Sequence, residues 1–106
     1  MPFIIATSSY PSHKQDEVVK KYIKLIPKYP PDESLGELIA QPVSTGPNGI
    51  TVLSIYRVKE GKLDAAFIRT GTQLYEYKDI EGYEYEVKVW LTFPEAAAIA
   101  GIPSPE

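Results

Sequence analysis

A chain of 106 residues with 43% hydrophobic and 24% charged residues fits one globular domain with a single core, residues 1–106. Its net charge of −3 and its two arginines, Arg57 and Arg69, argue against nucleic acid as a partner. The absence of cysteine excludes disulfides, thiol nucleophiles and thiolate metal sites.

The start, Met-Pro-Phe-Ile-Ile-Ala-Thr, lacks the basic region of a signal peptide. No stretch approaches the ~18 apolar residues of a membrane span, so a cytoplasmic, membrane-free protein is expected. Phe3 to Tyr10 predicts a strand that stops at Pro11, and Phe3 with Ile5 and Ile4 with Ala6 make both of its faces apolar. That favours a central position in a sheet.

Ser12-His13-Lys14-Gln15 fits a capping box opening a helix, with Asp16 and Glu17 in its first turn and Lys20, Lys21 and Lys24 following. Val18, Val19, Tyr22, Ile23 and Ile26 form its apolar stripe, and Pro27 ends it. An extended connector through Pro30 and Pro31 leads to a weaker strand, Leu35 to Val43. Gly36 and Pro42 within it belong on a sheet edge. Thr45-Gly46-Pro47-Asn48-Gly49 predicts a turn, and Ile50 to Lys59 a third strand, again apolar on both faces. After Glu60-Gly61-Lys62 a second helix is expected from Leu63 to Tyr77, with Leu63, Ala66, Phe67, Thr70, Leu74 and Tyr77 on its stripe. Gly71 inside it suggests close packing on the sheet.

The most regular stretch is Gly82 to Phe93. Tyr83, Tyr85, Val87, Val89 and Leu91 alternate with Glu84, Glu86, Lys88, Trp90 and Thr92, so one strand face is apolar and the other carries charges and a tryptophan. Thr92-Phe93-Pro94-Glu95 fits a capping box for a short helix, Glu95 to Ala100, ended by Gly101. Pro103 and Pro105 keep the tail extended.

Strand, helix, strand, strand, helix, strand is the βαββαβ order of an α+β, ferredoxin-like fold. It implies a four-stranded antiparallel sheet with two helices on one face and strands one and three in the centre. Leu53, Ile55 and Trp90 then lie on the uncovered face, too apolar for a comfortable monomer, and a homodimer packed sheet to sheet is expected.

The strand Phe3 to Tyr10, the Ser12 helix, the Pro47-Asn48-Gly49 hairpin, Val58-Lys59-Glu60-Gly61-Lys62-Leu63 and the final strand with its helix resemble the dimeric α+β-barrel superfamily, most of all its small single-domain members. The resemblance implies a ligand pocket between helices and sheet or between two sheets. Members include cofactor-free monooxygenases of aromatic substrates, haem-degrading enzymes, lactone isomerases and dimers without known chemistry. The haem-degrading members use a helical histidine in the cleft, whereas His13 sits at a helix start.

His13 is the only imidazole, a general-base candidate or an exposed helix-start residue. Glu84 and Glu86 share a face about 7 Å apart, an arrangement for acid–base work or for a solvated edge. Arg57 sits with Leu53 and Ile55 and either pairs with a carboxylate, Glu84 or Glu86, or anchors an anion. Tyr10 and Tyr56 are candidate ligand-binding phenols, and Trp90 a ligand contact or dimer anchor. No phosphate loop or metal-ligand spacing is present, so no cofactor and no metal are expected. Two functions follow: a homodimer binding a small, partly apolar ligand or serving as an interaction module, and a cofactor-independent monooxygenase or isomerase of a small aromatic or carbonyl compound.

Overall fold

The computed structural model describes residues 1–104; the part of the expected tail at Pro105 and Glu106 lies outside them. The elements are β1 (Phe3–Tyr10), a 3-10 turn (Ser12–Lys14), α1 (Gln15–Leu25), β2 (Gly36–Ala40), β3 (Val43–Gly46), β4 (Gly49–Val58), α2 (Leu63–Tyr75), β5 (Glu84–Trp90) and α3 (Phe93–Ala100). Among the described residues no helix is long and apolar enough to cross a membrane.

The sheet is antiparallel with the order β2-β4-β1-β5, and β3 also pairs with β4. The two strands that are apolar on both faces are therefore the central pair, as in a ferredoxin-like fold. The sheet has five strands rather than four. The expected strand Leu35 to Val43 is two, because the register shifts between Leu38 and Ala40 and Pro42 has no amide to donate. The Pro42 carbonyl still accepts from the Leu53 amide at 3.0 Å, and β3 resumes the edge. At the tip of the β3–β4 hairpin Gly49 has φ +112, and a Cβ there would lie 2.3 Å from the Tyr10 carbonyl oxygen, so the crossing onto β1 admits no side chain.

Alternation along β1 sorts the faces. Ile4, Ala6, Ser8 and Tyr10 are buried under the helices, while Phe3, Ile5, Thr7 and Ser9 are only partly covered. The cross-strand register carries the open face outward: Trp90, Phe3, Arg57 and Glu37 lie in one row, and Lys88, Ile5 and Ile55 in the next.

The helices differ from expectation in four respects. Ser12 makes no side-chain cap; the Pro11 carbonyl instead accepts from the Lys14 amide at 2.9 Å, giving a 3-10 turn before α1, and Gln15 accepts from the Tyr10 hydroxyl at 2.8 Å. α1 is anchored by Val18 and Leu25, while Ile23 and Ile26 of the expected stripe are exposed. Gly71 does not pack closely, since a Cβ on it would meet nothing within 4 Å. The second helix also closes at Tyr75, and Tyr77 follows in a turn. The capping box of α3 forms as expected, with Thr92 accepting from the Glu95 amide and Glu95 from the Thr92 amide.

Tyr10, Val18, Leu25, Tyr77 and Ile80 pack together as one core cluster, and Ile4, Ala6, Val58 and Ala97 are buried outside it. With extents of 47 × 32 × 18 Å the protein is one sheet and one helix layer thick. Away from that core the helices stand off the sheet.

Candidate functional site

The gap between helices and sheet is a cleft that holds two adjoining chambers, both partly open to solvent. The inner one, about 250 Å³, has Ala6, Ser8, Tyr10, Val52, Ser54 and Tyr56 as its floor, with Val18, Tyr22, Thr70, Gln73 and Tyr77 from the helix side. The outer one, about 590 Å³, extends past Ile4, Tyr56 and Val58 to Leu38 and is walled by Tyr22, Ile26, Ala66 and Arg69. Tyr22, Gln41, Tyr56, Thr70 and Gln73 line both and form the waist.

Local structure explains these positions. On β4 the even residues face the helices, so the alternation that buries Val52 also aims Ser54 and Tyr56 into the cleft. Gln41 reaches the inner chamber because the edge strand breaks there; its Nε2 donates to Ser54 Oγ at 2.9 Å. On α2 the Thr70 hydroxyl donates to the Ala66 carbonyl at 2.9 Å, which leaves its oxygen free to act as an acceptor toward the chamber.

Three tyrosines close the inner end. Tyr77 and Tyr83 stack with centroids 4.7 Å apart, and Tyr83 and Tyr10 at 5.9 Å, the rings within 10° of parallel. Burial pushes the Tyr10, Tyr56 and Tyr83 phenols above their ordinary value, and hydrogen bonds from Ser54 and Ser8 partly offset this at Tyr56 and Tyr83. Tyr77 is raised furthest, first by burial and then by its phenolic neighbours. At neutral pH all of them are hydrogen-bond donors. No Asp, Glu, His, Lys or Arg borders the inner chamber among the described residues, so its polar chemistry consists of phenols, hydroxyls and amides.

The candidates read from the sequence fall in three places. Tyr10 and Tyr56 line the inner chamber. Arg57 borders the outer chamber from β4, but its Nη1 binds Glu37 Oε1 at 3.1 Å. The expected partners Glu84 and Glu86 are two strands away, because β1 lies between β4 and β5. Glu84, Glu86 and Trp90 are on the open sheet face, where Lys88 pairs with Glu86 at 2.6 Å and Trp90 is 51% exposed. His13 is exposed on the 3-10 turn and lines neither chamber.

The sequence reading missed Gln41, Gln73, Arg69 and the stacking of Tyr77 on Tyr83. A signal for the last existed in the Tyr77-x-x-Ile80-x-x-Tyr83 spacing across a tight turn. Among the described residues no group of three histidine or carboxylate side chains converges to hold a metal ion.

The strand order and the two crossover helices define a ferredoxin-like α+β protein. No protein-family model matches the chain, and no curated protein matches it. Among solved structures it is similar to a formyltetrahydrofolate deformylase from Pseudomonas putida KT2440, with 9% identity and a TM-score of 0.46. The likeness covers 83% of this chain and 28% of the other.

Proposed function

We propose that this protein is a cytoplasmic homodimer that holds a small, partly apolar, uncharged molecule in the cleft between helices and sheet without transforming it. The observation that supports this is the inner chamber, which has apolar and aromatic walls with a few convergent neutral polar groups, the composition of a ligand pocket. A charged molecule would give up its hydration there and find no counter-charge. A ring-bearing ligand could stack against Tyr22 or Tyr56 and exchange hydrogen bonds with Gln41, Gln73 and Ser54. The alternative, a cofactor-free monooxygenase or isomerase, needs a base beside its substrate. His13, Glu84 and Glu86 are outside the cleft lining, the carboxylates of Asp32, Glu33 and Glu37 border the outer chamber and not the inner one, and the phenols inside hold their protons.

The dimer rests on surface. Phe3, Ile5, Leu53 and Ile55 form an apolar centre on the open face, with Trp90 at its border. The accessible surface is 7216 Å², whereas a compact monomer of 11.8 kDa exposes about 5,900 Å². The radius of gyration is 15.5 Å against about 13 Å for a compact chain of this length. A second copy packed sheet to sheet at about 10 Å would remove much of the excess.

Native mass spectrometry of freshly purified protein tests both parts. A dimer carrying additional mass that departs on mild activation is expected. A bare monomer at micromolar concentration would remove the proposal.

A further inference from the structure

Between α1 and β2 the chain runs along the outer chamber as a strap over residues 26–35, and Tyr29, Pro31, Asp32, Glu33 and Leu35 of this strap form one of its walls. The ends of the strap are held by backbone. The amides of Lys28 and Tyr29 donate to the Leu25 carbonyl at 3.1 and 2.9 Å, and Leu25 is buried. At the far end the Lys59 amide donates to the Leu35 carbonyl at 2.9 Å.

The middle of the strap is held to α2 and its C-terminal cap by side-chain bonds at three successive residues. Lys28 Nζ and Tyr29 Oη donate to the same Glu76 carboxylate oxygen, Oε2, at 2.5 and 2.9 Å. Arg69 donates from Nη2 to the carbonyl of Pro30. Three prolines, Pro27, Pro30 and Pro31, fix φ within the strap, so it is suited to move as a stiff piece between its anchored ends. Asp32 tightens the turn before β2, its Oδ1 accepting from the Ser34 amide and hydroxyl. Bonds between exposed side chains break far more easily than the backbone ladder beneath them.

We propose that this strap is a gate of the cleft, a movable wall held in place by Glu76 and Arg69, and that releasing this latch widens the outer chamber for an entering ligand. The gate rests on the ligand-binding function proposed above. It makes Glu76 a positioning residue that touches no ligand, since it controls the wall through Lys28 and Tyr29.

Hydrogen exchange on the full-length protein tests the latch without any ligand. In Glu76→Ala, exchange at the amides of Ser34 and Leu35, which are bonded to Asp32 within the strap, should rise about tenfold, the effect of losing one modest interaction, while those of Lys28 and Tyr29 at the anchored end change less. Exchange in β1 and β4 should stay as in the parent. Tyr29→Phe, which keeps the carboxylate and the lysine, should shift the same amides in the same direction by less. Stopped-flow binding of the uncharged dye N-phenyl-1-naphthylamine should be faster in both variants, in association and in dissociation.

Unchanged strap exchange in both variants would overturn the latch. So would a rise shared equally by β1 and β4, because Glu76 would then hold the whole helix layer. If the strap responds while the parent protein takes up no dye and carries no co-purifying molecule, the latch stands and the ligand-binding function fails.

Discussion

Replacing Ala6 by leucine tests whether the inner chamber is open space, because the sign of the stability change depends on it. Ala6 is 2% exposed, lies in the middle of β1 opposite Ser54 and Val87, and lines the chamber floor. Leucine adds three carbons. If they enter the chamber of about 250 Å³, each buried carbon contributes about 0.8 kcal/mol, roughly 2.4 kcal/mol together. Rotamer freedom lost by the leucine opposes this by about 0.5–1 kcal/mol, leaving a gain of about 1.5 kcal/mol. For a domain of this size that raises Tm by roughly 6–12 °C. Urea unfolding followed by far-ultraviolet circular dichroism, at fixed protein concentration, should show a higher midpoint with an unchanged slope. In a filled interior the same carbons overpack, which destabilises by about 1–3 kcal/mol. A lowered midpoint would refute the open chamber.

Two glycines separate conformational need from habit: Gly71→Ala should stabilise by about 1 kcal/mol, since nothing lies within 4 Å of the new methyl. Gly49→Ala should destabilise by about 2–3 kcal/mol, with φ at +112 and the Tyr10 carbonyl 2.3 Å from the new Cβ; equal midpoints for the two variants in urea would contradict this. In acid, Asp32, Glu76, Asp79 and Glu95 are held below their ordinary values, chiefly by hydrogen bonds from Ser34, Lys28, Lys21 and the Thr92 amide. Their contribution is complete above the unfolded values of 3.8 and 4.5 and is lost as pH falls through the lower folded ones. The urea midpoint should therefore drop below about pH 4, and a flat profile to pH 2.5 would count against these bonds. In alkali the sign reverses: Tyr10, Tyr29, Tyr56, Tyr77 and Tyr83 are raised above 10.0, so the stability of their neutral forms is complete below that value and fades as pH rises through the folded ones. Absorbance at 295 nm should show these phenols ionising together with unfolding, and a single simple titration of all tyrosines near pH 10 in folded protein would contradict their burial.

The centre of the sheet was legible in the sequence. β1 and β4 announced their central positions by apolar residues on both faces, whereas β5, with an equally strict alternation, leaves Tyr85 and Val89 exposed as well as Glu84, Glu86 and Trp90. Thr92 to Glu95 announced its cap because all four residues of that motif are local. Ser12 showed the same pattern and failed, since Pro11 supplied its carbonyl to a tighter turn and Tyr10 took the Gln15 side chain. Pro42 marked an edge correctly, but the register shift that splits the edge in two depends on how β4 meets it.

A pocket between helices and sheet was among the places the resemblance implied, but the shape and most of the lining of the cleft were not legible, because they follow from how far the helices stand off the sheet. That distance is set by Tyr77 and Tyr83 stacking across a turn and by Val18 and Leu25 alone anchoring α1. Gln41 enters the cleft only through the break in the edge strand, and Arg57 found Glu37 because β2 rather than β5 adjoins β4. Neither fact exists until the strands are ordered.

The most direct measurement is amide chemical-shift mapping by NMR with a neutral two-ring phenol titrated into the labelled full-length protein. The account predicts saturable shifts at Ala6, Ser8, Val52, Ser54, Thr70 and Gln73, which border the inner chamber from β1, β4 and α2. Saturable shifts confined to Ile5, Leu53, Lys88 and Trp90 on the open sheet face, or no saturation at any residue, would contradict it.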